Sequence, residues 1–129
     1  TGKYQRSSPA PAGSRATTNP DHFDGDNDAK FDAAERLGLI AAEAGLTMTQ
    51  LALAWSVEHP AVTAALIGPR TNDQLDDLLT AADVTLSADV LDAIDEVVPP
   101  GVDLNPADAG WTSPALAPSS RRRRRVVAG

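Results

Sequence analysis

Residues 67–77 read Ile-Gly-Pro-Arg-Thr-Asn-Asp-Gln-Leu-Asp-Asp, which takes the chain from an apolar run through a glycine turn into a helix start. The run that leads into them, residues 62–67, is Val-Thr-Ala-Ala-Leu-Ile and is bounded by Pro60 and Gly68. A short apolar run with such boundaries is typical of a strand buried on both faces of a parallel sheet. The T-x-x-Q pattern that begins at Thr71 is typical of a capping box. We therefore predict a buried strand followed directly by a capped helix.

The turn between the predicted strand and helix is a candidate anion site. A helix start presents unpaired N–H groups and the positive end of the helix dipole, and both suit a phosphate. Gly68 lets backbone approach closely, Arg70 can grip phosphate oxygens with two hydrogen bonds, and Thr71 offers a hydroxyl. The alternative, which these residues alone favour, is an ordinary strand-to-helix turn with a surface arginine.

Apolar residues at helical spacing predict further helices on both sides of this stretch, at 28–44, 47–59 and 87–98. Thr47 and Gln50 repeat the T-x-x-Q capping pattern. Residues 1–27 scatter proline and glycine among polar residues, so we expect a long loop that is either functional or disordered. The chain then divides into a loop at 1–27, a compact segment at 28–98 and a tail at 99–129.

The composition excludes several classes of function. The 129 residues carry 11 Lys and Arg against 18 Asp and Glu, a net charge of −7, and no cysteine. An acidic body without an interleaved aromatic and basic face predicts no nucleic-acid binding. The absence of cysteine excludes disulfides and cysteine-based zinc or redox chemistry, and it is compatible with the cytoplasm. The two histidines lack partners at metal-ligand spacing, so no metal site is expected.

The two ends of the chain leave alternatives open. Five arginines stand together at 121–125. They fit a nucleic-acid or nuclear-import patch, a disordered tail lying on the acidic body, or a frame-shifted gene end. The chain begins at Thr1 and not at methionine, from which we expect a missing upstream part, with a processed mature protein as the alternative. No apolar run reaches the length that spans a bilayer, so no membrane partner is expected.

Three stretches resemble the aldo/keto reductase family, in the order that the family has them. Residues 49–55, Thr-Gln-Leu-Ala-Leu-Ala-Trp, resemble the helix before its last barrel strand. Residues 62–75 resemble the eighth strand and the cofactor turn that follows. Residues 1–4, Thr-Gly-Lys-Tyr, with Pro-Ala-Gly-Ser-Arg at 11–15, resemble the segment after the seventh strand. The resemblance implies an α/β chain, the C-terminal fragment of a (β/α)8 TIM barrel, mostly helical as it stands with one clear buried strand.

The resemblance also implies NADP as the cofactor. In the family, the turn after the eighth strand grips the adenosine-side phosphate, and the earlier loop contributes a lysine and an arginine near the cofactor. The matching positions in this chain are Gly68, Arg70, Thr71, Gln74, Asp77, Lys3 and Arg15. Leu78 stands where many relatives place an asparagine that contacts adenine.

The reaction that the resemblance implies is hydride transfer between NADPH and an aldehyde or ketone. The family's catalytic tyrosine, aspartate, lysine and histidine lie in the first half of the barrel. Tyr4, the only tyrosine, does not match and is expected to pack or hydrogen-bond near the cofactor loop. We therefore expect this chain alone to be inactive and to have the missing N-terminal part of the barrel as a partner. The alternative is a non-enzymatic, acidic helical module that binds a protein partner.

Overall fold

The computed structural model describes residues 3–4, 6, 8–18, 28–60, 62–106 and 110. These residues form five α-helices in chain order: α1 Arg15–Thr18, α2 Asp28–Glu43, α3 Met48–Glu58, α4 Asn72–Leu79 and α5 Ala88–Val97. A 3₁₀ turn, Thr80–Asp83, follows α4 directly. Helix α2 packs against α3 and α5, while α3 also packs against α4 and the 3₁₀ turn.

The start of α3 shows why the chain turns where it does. Gly45 adopts a φ of 70°, a left-handed conformation that ends the preceding helix at low steric cost. The Gln50 amide donates to Thr47 Oγ1 at 3.1 Å, and the Thr47 amide donates to Gln50 Oε1 at 2.8 Å. The capping box predicted at Thr47 is therefore confirmed. The Gln50 side chain also donates from Nε2 to Thr80 Oγ1 at 3.0 Å, which ties the start of α3 to the end of α4.

The core lies where α2, α3 and α5 meet. Its buried side chains come from those helices and from the residue before the N-cap of α5, and they are Ala41, Leu51, Ala54, Leu86, Leu91 and Ile94. Alanines make up a third of this set, which lets the helices approach closely but gives little apolar area. A core of this size leaves a small net stability, so each large side chain in it matters.

The predicted buried strand at 62–67 is wrong. Residues 62–69 form no strand within the part of the chain that the structure describes. Leu66 is 102 % exposed and Ile67 is 41 % exposed. A strand needs a neighbouring strand to exchange backbone hydrogen bonds, and the described part of the chain offers none. The described residues are therefore helical and show neither an α/β sheet nor a barrel.

Within the described residues, no single helix is long and apolar enough to cross a membrane. Helices α2 and α3 pass the test of length and composition only when taken together, and they bend by 94° at the break between them.

The core predicts a contrast between two leucines on neighbouring helices. Leu51 in α3 is 2 % exposed, and Leu39 in α2 is 66 % exposed. We expect Leu51→Ala to lower the free energy of unfolding by about 2–5 kcal/mol through lost burial and the cavity left behind. The matched change Leu39→Ala should alter it by about 0.5 kcal/mol or less. Denaturant unfolding followed by circular dichroism measures both, and equal losses would contradict this core.

Candidate functional site

A cleft of about 800 Å³ lies where the N-terminal loop, α3 and the turn before α4 meet. Six of the seven residues that the sequence analysis assigned to the cofactor line this cleft: Lys3, Arg15, Gly68, Arg70, Gln74 and Asp77. Thr71 does not line it, because its hydroxyl instead accepts the Gln74 amide at the start of α4. The structure therefore brings together residues that lie far apart in the sequence.

Backbone and side-chain hydrogen bonds fix the turn before α4. The Gln74 amide donates to Thr71 Oγ1 at 3.2 Å, which is the first half of the predicted capping box. The second half differs, because Gln74 Oε1 accepts from the Arg70 amide at 2.8 Å. The glutamine oxygen thus reaches one residue further back than the prediction. This bond holds the backbone of Arg70 beside the helix start, while the Arg70 side chain stays exposed at the cleft.

Gly68 leaves the wall of the cleft open. It is exposed, and a Cβ built on it meets no heavy atom within 4 Å. Neither crowding nor a left-handed backbone within the chain requires glycine at this position. The space beside its backbone is open at the cleft.

Tyr4 holds the N-terminal loop in a folded-back shape. The Ala16 amide donates to Tyr4 Oη at 3.3 Å, and the Lys3 ammonium lies 5.1 Å from the centre of the Tyr4 ring. Ser14 is buried just before the short helix α1, where its carbonyl oxygen accepts the Thr17 and Thr18 amides. The expected role of Tyr4 near the cofactor loop is therefore a structural one. It sets Lys3 and Arg15 against the same cleft.

The environment of Tyr4 changes its acidity. Partial desolvation raises the pKa of Tyr4, whereas the hydrogen bond from the Ala16 amide lowers it. The positive charge of Lys3 lowers it further, so that the pKa of Tyr4 lies below the ordinary value of 10.0. The folded loop therefore favours the ionised phenol.

The charge of the cleft is opposite to that of the chain. Three cations, Lys3, Arg15 and Arg70, line it with the single carboxylate of Asp77, a sum of about +2 in a chain of net charge −7. Such a concentration of positive charge attracts a multiply charged anion. Among the residues that the structure describes, no group of three His, Asp or Glu side chains could hold a metal ion.

Seven residues that line the cleft were not among the predicted site residues: Tyr4, Thr49, Leu53, Leu66, Ile67, Pro69 and Leu78. Thr49 and Leu53 from α3 line the cleft beside the turn. They are four residues apart and therefore share one face of the helix. The sequence analysis included both residues in the stretch 49–55 and gave neither a role of its own.

A sequence model of the aldo/keto reductase family matches residues 1–99. The chain belongs to that family. Proteins of this family generally use NADH or NADPH as the cofactor.

Three relatives show how far the likeness extends. The chain is 31 % identical over 77 residues to the uncharacterized oxidoreductase YrpG of Bacillus subtilis, a match that covers 60 % of this chain and 24 % of that protein. It is 30 % identical over 105 residues to a putative voltage-gated potassium channel subunit beta of Schizosaccharomyces pombe, covering 76 % and 30 %. It is 38 % identical over 61 residues to a probable voltage-gated potassium channel subunit beta of Arabidopsis thaliana, covering 46 % and 19 %. The matched part thus spans less than a third of each relative.

The Tyr4 contacts predict a measurable titration. Because Tyr4 is the only tyrosine, near-ultraviolet absorbance of tyrosinate reports on it alone. We expect a midpoint below 10.0, and a shift back upwards in Lys3→Ala, with exposed Lys30→Ala as the unchanged control. Because the pKa of Tyr4 is lower in the folded loop than in the unfolded chain, ionisation of Tyr4 stabilises the folded loop. This stabilisation is complete above the ordinary tyrosine pKa and is lost as the pH falls through the pKa of the folded state. A midpoint at or above 10.0 would contradict these contacts.

Proposed function

We propose that this chain supplies the adenosine-phosphate part of an NADP site in an oxidoreductase that transfers a hydride between NADPH and an aldehyde or ketone. The main support for the proposal is that Lys3, Arg15 and Arg70 line one cleft. Gly68 lines the same cleft and leaves open space beside its backbone. Membership of the aldo/keto reductase family and the likeness to a protein named as an oxidoreductase support it.

The chemistry of the turn suits a phosphate on a ribose. The guanidinium of Arg70 presents a planar fork of donors that matches phosphate oxygens in pairs. A helix start leaves its first amides without a partner inside the helix; in α4 the Gln74 amide donates to Thr71 and the two amides before it begin the helix next to Arg70. Gln74 uses its oxygen on the Arg70 backbone, so its Nε2 is the group left to donate to a ligand. NADP carries a ribose phosphate that NAD lacks, and Arg70 is the residue proposed to discriminate between them.

Lys3 and Arg15 face the same cleft from the other side. They come from the loop that Tyr4 folds back, so their charges stand opposite the α4 turn. A dinucleotide carries a pyrophosphate in addition to the ribose phosphate. In the proposal, the two loop cations meet the pyrophosphate side while Arg70 meets the ribose phosphate.

Hydride transfer itself needs groups from another polypeptide segment. Tyr4 lines the cleft but accepts the Ala16 amide within the loop, and His59 follows α3 rather than lining the cleft. In the proposal, the catalytic tyrosine, aspartate, lysine and histidine come from an N-terminal part that completes the site. The exposed run at 62–67 is the surface on which that part docks. The lack of cysteine is compatible with such a reductase acting in the cytoplasm.

Removal of the Arg70 guanidinium tests the cofactor assignment. A hydrogen bond to a charged group contributes about 1.5–3 kcal/mol, so Arg70→Ala should weaken NADP⁺ binding by about ten- to a hundredfold. Binding of NAD⁺ should fall by about threefold or less, because it lacks the contacted phosphate. Isothermal titration of the full chain with each nucleotide gives both dissociation constants. Arg36→Ala, which removes an exposed arginine from α2, is the matched control.

Two results of that titration would refute the phosphate role. Equal weakening of NADP⁺ and NAD⁺ binding would show that Arg70 does not recognise the ribose phosphate. A wild-type chain that binds neither nucleotide would remove the site altogether.

A second candidate function is a non-enzymatic module that binds a protein partner. Two relatives are named as channel beta subunits, and the chain exposes Leu66, Ile67 and Val62. A sharp thermal transition that NADPH leaves unchanged would favour this candidate. A broad transition together with binding of an apolar dye would instead favour the first proposal, in which this chain needs the N-terminal part of the barrel to cover its apolar surface.

A further inference from the structure

Arg6 lies outside the cleft and joins the N-terminal loop to the start of α2. Its Nη2 donates to the Asp28 carbonyl oxygen at 2.9 Å and to Asp32 Oδ1 at 2.7 Å. Its Nη1 lies 3.1 Å from Asp28 Oδ2. One guanidinium therefore contacts two carboxylates and a carbonyl that lie 22 and 26 residues further along the chain.

The helix provides the two carboxylates in a suitable arrangement. Asp28 begins α2 and Asp32 follows one turn later, so that both side chains stand on the same face. Partial desolvation lowers the pKa of Arg6, while the charges of Asp28 and Asp32 raise it by more, leaving it above its ordinary value. Each pair is partly exposed and weak alone, but the fork of the guanidinium engages both at once.

These contacts bear on the cleft through the loop. Arg6 is two residues from Tyr4, which is bonded to the Ala16 amide and lies against Lys3. Lys3 and Arg15 therefore belong to one folded-back segment. Tyr4 holds the segment together through its bond with the Ala16 amide, and Arg6 links the segment to α2. Arg6 thus adds a direct link from this largely exposed segment to the first turn of α2.

We infer that Arg6 is a positioning residue, which fastens the segment 3–18 to α2 through Asp28 and Asp32 and so sets Lys3 and Arg15 at the cleft. Its effect on ligand binding rests on the proposed NADP site, whereas the fastening itself does not. Without the Arg6 contacts, the loop samples open arrangements in which the two cations leave the cleft.

The fastening can be measured without any ligand. In the full chain, we expect Arg6→Ala to speed solvent exchange of the Ala16, Thr17 and Thr18 amides by about fivefold, the size expected from losing two partly exposed ion pairs. Arg6→Lys, which keeps one charge, should restore part of the protection. The double variant Arg6→Asp with Asp32→Arg, which reverses one pair, should also restore part of it. NMR exchange rates measure these changes, and Arg36→Ala is the matched control for loss of an exposed arginine.

A ligand measurement then separates positioning from a general structural role. Arg6→Ala should weaken NADP⁺ binding about fivefold, with the melting temperature of the helices unchanged. In a Lys3→Ala, Arg15→Ala background, the same change should have no effect on affinity, because the groups that Arg6 positions are gone. A persistent fivefold loss in that background would overturn the inference.

The remaining outcomes distinguish the two proposals. If wild type binds NADP⁺ while Arg6→Ala changes neither amide exchange nor affinity, the positioning role is wrong and the cofactor site stands. If wild type binds no NADP⁺, the cofactor site is wrong, and the exchange rates alone decide whether Arg6 fastens the loop.

Discussion

The hydrogen bond from the Arg70 amide to Gln74 Oε1 is the contact on which the cleft depends. This bond fixes the point at which residues 62–69 end and α4 begins. Thr71 completes the helix cap by accepting the Gln74 amide. Because α4 is tied through Thr80 to the start of α3, the turn is also fixed relative to the helical core. The open wall at Gly68 and the exposed Arg70 side chain both follow from where this turn occurs.

The helices and their caps could be predicted from the sequence because they rest on local interactions. The side chains of Thr47 and Thr71 accept from amides three residues further on. A short stretch of sequence is therefore enough to predict each cap. The membership of the family rested on three ordered stretches rather than one, and it proved right. The grouping of cleft residues was likewise implied by that resemblance and not by spacing.

What failed, or was missed, depends on partners distant in the sequence. The apolar run at 62–67 resembles a strand locally, but a strand exists only when a neighbour pairs with it. The link of Arg6 to Asp28 and Asp32 crosses more than 20 residues, and no local pattern marks it. The positive cleft was also hidden by composition, because the chain as a whole is acidic. Net charge describes the average surface, whereas binding depends on which few charges meet.

The exposed segment at 62–67 also affects how the chain behaves when concentrated. It is uncharged, largely apolar and mostly exposed, which is the composition that favours edge-to-edge pairing in cross-β aggregates. Pro60 and Pro69 stand on either side and lack the amide that a continuing ladder needs. These two prolines act as gatekeepers, because they confine any such ladder to a few residues and leave the rest of the surface to the acidic helices that repel one another.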